Sequence, residues 1–124
     1  MTVTTAAHTF TVCRADQLED NLGAGVLLPD GTQIALFRVP TGEPDRAGRM
    51  PDSTVFAVSN IDPYSGAAVI SRGIVGEVDG EPTVASPLLK QRFSLTDGHS
   101  LEDADHRLAV YPVEATGDKI LVHC

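Results

Sequence analysis

The stretch VFAVSNIDPYSGAAVISRGIVGEVDGEPTVASPLLKQRFSLTDG, Val55 to Gly98, decides the fold. It contains two similar pieces, each an apolar run entering a proline-centred loop: SNIDPY around Pro63 and SPLLKQRF around Pro87. Proline pushes the residue before it toward extended backbone, so each piece reads as a short strand delivering a tight loop. Two such loops meeting at one end of a small β domain form an architecture for holding something between them. Read from the residues alone, Asp62, Tyr64, Ser86 and Leu89 name no reaction. They are not a zinc or iron–sulfur set, which takes Cys and His at ligand spacing.

Outward from this stretch the chain reads as strands and turns. His8–Arg14 alternates apolar and polar residues as a half-buried strand does, and Ala15–Leu18 follows as a single turn with Asp16 placed to cap it. Ala24–Leu28 and Thr32–Val39 make a hairpin across Pro29-Asp30-Gly31, with Ile34, Leu36 and Arg38 on one face. Pro40–Asp52 has no apolar face and is expected to be an exposed loop; its Arg46 and Arg49 are either solvated or available to a phosphate or an acidic partner. Thr54–Val58 enters the first proline loop and Ala67–Ile70 leaves it. Ser71-Arg72-Gly73 turns the chain into a hairpin of Ile74–Glu77 and Thr83–Ala85 across Asp79-Gly80, which delivers Ser86. Arg92–Leu95, Arg107–Val113 and Lys119–Val122 complete the strands, and Pro112 marks an edge or a bulge. Short, evenly spaced strands with turn signals give an all-β sandwich or barrel.

Composition narrows the class. The chain has 124 residues with 42% hydrophobic content, enough for one compact domain. Aromatics make up 5% and Trp is absent, so the core is expected to be Val, Ile, Leu and Ala. A net charge of −8 disfavours nucleic acid and anionic membrane surfaces as partners. No long apolar span occurs and MTVTTAAHTF lacks a leader pattern, so a cytoplasmic location is expected. Cys13 and Cys124 are expected to be unpaired, although sequence leaves a disulfide open. His8, His99, His106 and His123 are too scattered to suggest metal spacing, and no G-x-S-x-G elbow supports a hydrolase.

The paired loops resemble the ligand loops of Rieske iron–sulfur domains, where a Cys-x-His pair and a Cys-x-x-His pair hold a two-iron cluster. Asp62 and Tyr64 stand at the first pair and Ser86 and Leu89 at the second, so all four ligands are replaced. Gly66, Pro87, Arg92, Phe93 and the turn Thr96-Asp97-Gly98 persist as framework. A scaffold that keeps its loops and loses its ligands is similar to the small subunit of the soluble NAD(P)H-dependent nitrite reductase. FAVSNIDPY, SRGIVGE, and ASPLLKQRFSLTDG followed by Leu101-Glu102-Asp103 carry that likeness.

The resemblance implies a single Rieske-like domain over 1–124, with a base at about 1–54 and 99–124 and a loop-bearing subdomain at about 55–98. It implies a large partner subunit carrying sirohaem, a 4Fe-4S cluster and FAD that reduces nitrite to ammonium, and a degenerate, cofactor-free site in this chain. The chain would then support assembly or electron-donor docking without catalysing alone. Asp62 is expected to cap its loop rather than hold a cation, since a hard cation takes six or more oxygens. Tyr64 is expected to act as apolar filler with a wet hydroxyl, and Leu89 to pack the gap shut. Tyr64, Arg72, Lys90, Gln91 and Arg92 form the candidate partner surface. A ferredoxin serving an oxygenase and a free-standing ligand-binding β module are the competing readings.

Overall fold

The computed structural model describes residues 9–48 and 52–123. Among them, period-two alternation and turn residues set out antiparallel strands: β1 (Thr9–Arg14), β2 (Gly23–Leu27), β3 (Gln33–Thr41), β4 (Asp52–Ser59), β5 (Ile74–Val78), β6 (Glu81–Ala85), β7 (Arg92–Ser94), β8 (Val110–Tyr111), β9 (Val113–Thr116) and β10 (Lys119–His123). They form three sheets, ordered β1-β10-β9, β2-β3-β4-β8 and β5-β6-β7. The only helical pieces among the described residues are single 3-10 turns at Ala15–Gln17 and Ile70–Arg72.

β3 divides the molecule. Its residues alternate between two apolar cores, so both faces are buried from Ile34 to Phe37. Ile34 and Leu36 join Leu18, Leu28, Ala57, Ile120 and Val122 in the base core. Ala35 and Phe37 join Val58, Ile70, Val84, Phe93, Leu95 and Leu108 beneath the loops. A strand buried on both sides reads as a continuous apolar run, as IALF does. Arg38 ends that run: its Nη1 donates to the carbonyls of Ala15 and Leu18 at 3.3 and 3.2 Å, and Nε lies 3.1 Å from Asp20 Oδ1.

Several expected boundaries move. β3 and β4 pair as far as Thr41 with Asp52, so the exposed loop is shorter than Pro40–Asp52. Arg46 is exposed in that loop, while Arg49 lies outside the described residues, as do His8 and Cys124. β4 pairs with β3 through Ser59, opposite Ile34. Ala67–Ile70 is no strand; only Ala68 bridges, to Ile61, before the chain enters the 3-10 turn. Asp16 does not cap the first turn, whose leading N–H on Arg14 is taken by Gln17 Oε1 at 2.8 Å. Pro112 splits the expected strand Arg107–Val113, because its missing N–H interrupts a ladder and the chain crosses there from the β4 sheet to the β10 sheet. Cys13 is free and partly buried, and burial pushes its thiol pKa up.

The β5–β6 hairpin is as expected. Val78 pairs with Glu81 across Asp79-Gly80, whose φ values of 51° and 83° are those of a two-residue hairpin turn.

Candidate functional site at the paired loop tips

The two proline loops meet. In the first, Asp62 N–H donates to Ala67 O and Gly66 N–H donates to Asp62 O, at 2.9 and 2.7 Å, closing a tight turn around Pro63. Asp62 Oδ1 accepts the N–H of Tyr64 at 2.8 Å, the loop-capping role expected of it. In the second, Ser86 N–H donates to Gln91 O at 2.9 Å and Lys90 N–H to Ser86 O at 3.0 Å, so residues 86–91 close on themselves. Ser86 Oγ then donates across the gap to Asp62 Oδ2 at 2.6 Å. Asp62 is 0% and Ser86 1% exposed, so this bond is sealed from water.

Tyr64 turns inward. Its ring stacks on His106, with centroids 4.0 Å apart and planes 18° apart, and meets Phe93 at 5.9 Å. Its hydroxyl is held by side chains of the protein: it donates to Asp103 Oδ2 at 2.5 Å and lies 2.8 Å from Ser100 Oγ. A phenol has one proton to give, so the Ser100 hydroxyl is the donor in the second bond. Asp103 Oδ1 also takes His106 Nδ1 at 3.0 Å. The Tyr64 and His106 hydrogen bonds hold the Asp103 carboxyl down at about 2. Burial, then the bond to Asp103, push the Tyr64 phenol above its ordinary range. A cleft of about 400 Å³ beside this network is lined by Ser100, Glu102, Asp103, His106 and Arg107, a mixed set that favours neither sign of ligand.

The family model of a Rieske-like [2Fe-2S] domain matches residues 8–123. The nitrite reductase (NADH) small subunit of Escherichia coli K12 is 41% identical over 100 residues, covering 81% of this chain and 82% of that protein. The chain belongs to the nitrite reductase small-subunit family of Rieske-like domains. A crystal structure described as an NADH-dependent nitrite reductase small subunit from Mycobacterium tuberculosis superposes with a TM-score of 0.84 at 44% identity, over 97% of each chain. A nitrite reductase [NAD(P)H] large subunit from Klebsiella oxytoca is 35% identical over 111 residues, which is 90% of this chain and 10% of that one.

The four positions that the Rieske resemblance sets against the cluster ligands do not suit a Rieske-type two-iron cluster. Such a cluster takes two thiolates on one iron and two imidazoles on the other. The positions offer a carboxylate already engaged twice, a hydroxyl engaged with that carboxylate, a phenol bonded to Asp103, and an alkyl group. Leu89 does not pack the gap shut as expected. It is 66% exposed at the loop apex, and the Asp62–Ser86 bond closes the gap instead.

The candidate partner surface separates into parts. Arg72 and Lys90 are exposed, with no ion-pair partner among the described residues. Arg92 is tied to Glu102 Oε1 at 3.1 Å, and Tyr64 is withdrawn into its network. Gln91 is partly buried, with Oε1 enclosed and without a partner among the described residues. The sequence reading missed Ser100, Asp103 and His106 as one unit. Their three-residue spacing, S-x-x-D-x-x-H, was the available signal. It also missed that the fold brings His99 to Asp97 and Glu81, within 4.8 Å of one another. That group is outward-facing, with the Asp97 carboxyl held down first by the His99 N–H.

Proposed function

We propose that the chain is a cofactor-free small subunit of NAD(P)H-dependent nitrite reductase, binding and supporting the large subunit that reduces nitrite to ammonium. The observation that supports this is the buried Asp62–Ser86 bond joining the two loop positions that the Rieske resemblance sets against cysteine ligands, in a chain of the small-subunit family. The large subunit would carry the sirohaem, the 4Fe-4S cluster and FAD. This chain would supply shape: assembly, stability or docking of the electron donor. The Klebsiella match supports the pairing, since a domain like this one occupies a tenth of that large subunit. An assimilatory role in the cytoplasm agrees with a pyridine-nucleotide donor, and no helix among the described residues is long and apolar enough to cross a membrane.

The test is reconstitution. The large subunit is assayed for nitrite-dependent NAD(P)H oxidation with and without this chain, and the chain is assayed for iron. The expected result is complex formation, higher or more durable turnover with the chain present, and no stoichiometric iron in it. Two irons per purified chain, with the visible absorption of a cluster, would overturn the reading in favour of a ferredoxin.

A further inference from the structure

We infer that the apex of the second loop, Pro87–Lys90, is a preformed apolar knob that docks into a cleft of the large subunit, apolar at its base and acidic at its rim. The inference rests on the functional reading above and gives it a place on the molecule.

Exposure is the first observation. Leu88 and Leu89 are adjacent, 49% and 66% exposed, and follow an exposed Pro87. Single exposed leucines are ordinary, whereas adjoining exposed apolar residues form the contiguous kind of patch found at contact sites. Ile74, also exposed, pairs with Ala85 at the same end of the hairpin, away from the Asp79-Gly80 turn.

Rigidity is the second. The apex is closed by the Ser86–Gln91 and Lys90–Ser86 backbone bonds, and its base is fixed through Ser86 to the buried Asp62. Lys90 has φ of 65°, while Asn21 and Asp79, the other non-glycine residues at positive φ among the described residues, are of types that tolerate it. Strained backbone retained at an exposed tip points to a function for that shape. A loop ordered in advance also loses less freedom on binding.

Charge selects the occupant. Residues 87–92 carry Lys90 and Arg92 and no acid, in a chain of net charge −8. With Arg92 held by Glu102, Lys90 is the cation left to meet a partner's carboxylate. A second copy is disfavoured, because two chains of that charge repel. The large subunit is favoured, because in Klebsiella a domain matching this one shares its chain.

The experiment measures binding of the full-length chain to its purified cognate large subunit by titration calorimetry. The wild type is compared with Leu88→Ser/Leu89→Ser, with Lys90→Glu, and with Leu22→Ser/Leu27→Ser as an exposed-leucine control. The Leu88/Leu89 variant should weaken binding by about tenfold or more while its thermal unfolding stays unchanged. Lys90→Glu should weaken it most at low salt, and the control should bind as wild type. Unchanged binding by the Leu88/Leu89 variant would overturn the knob and leave the subunit reading standing. A wild-type chain that binds no large subunit would overturn both. Loss of self-association in sedimentation, without change in large-subunit binding, would make a second copy the occupant and also overturn the proposal.

Discussion

Ser86 Oγ lies 2.6 Å from Asp62 Oδ2, and this single bond joins two loops whose sequence positions are 24 apart. It is the only side-chain hydrogen bond between those two loops among the described residues, and neither partner reaches water.

Removing one partner therefore strands the other. Ser86→Ala leaves a buried carboxylate oxygen without its donor and should cost about 1–3 kcal/mol. Asp62→Ala strands both the Ser86 hydroxyl and the Tyr64 N–H, and should cost at least as much. Urea unfolding of the two single variants and the double variant gives a coupling energy, expected at about 1–2 kcal/mol. A coupling near zero would mean that the loops are joined by packing alone.

The Tyr64 network carries a pH dependence. The Asp103 carboxyl is depressed from 3.8 to about 2, so its contribution is fully present above 3.8 and lost as pH falls through about 2. Tyr64 is raised, so its contribution is present below 10.0 and lost as pH rises beyond that value. Tyr64→Phe removes the largest cause of the Asp103 depression and should return that carboxyl toward 3.8 in an NMR titration. The variant should also unfold at a lower urea concentration than the wild type.

Gly98 and Gly80 separate conformation from space. Their φ values are 84° and 83°, yet a Cβ on Gly98 would sit 2.0 Å from Leu108 O, whereas one on Gly80 meets nothing within 4 Å. Gly80→Ala should cost about 1–2 kcal/mol through backbone strain. Gly98→Ala should cost more than about 3 kcal/mol, since the backbone it meets is fixed by the Leu108 N–H to Gly98 O bond. Thermal unfolding of both variants measures the difference.

Lys90→Gly tests the strain at the apex. Relief of the left-handed conformation gains about 1–2 kcal/mol, and the added freedom of glycine in the unfolded chain returns about 0.5–1. A net stabilisation between about 0 and about 1.5 kcal/mol is expected in urea unfolding. A destabilised variant would show that the lysine side chain supports the loop.

Much of this was legible from local chemistry. The Asp79-Gly80 hairpin, the Pro29-Asp30-Gly31 turn and the break at Pro112 follow from what each residue's backbone allows. The Rieske-like framework was legible in the proline loops, and the capping role of Asp62 in its side chain. What escaped was tertiary. Nothing in TQIALFRV says that Ala35 and Phe37 face a second core, because a run apolar at every position carries no period-two signal. Leu89 was assigned to the gap as an apolar residue at a ligand position, yet the spacing differs by one residue, Asp62 to Tyr64 against Ser86 to Leu89, and one side chain packs inward while the other faces out. Tyr64's partners come from a segment 36 to 42 positions later, beyond any local pattern.

Because Ile34 and Leu36 look one way from β3 while Ala35 and Phe37 look the other, the tips stand on a wall that the base also needs. The loop-bearing part has no foundation of its own, and anyone transplanting the tips to another host must carry nearly the whole chain with them.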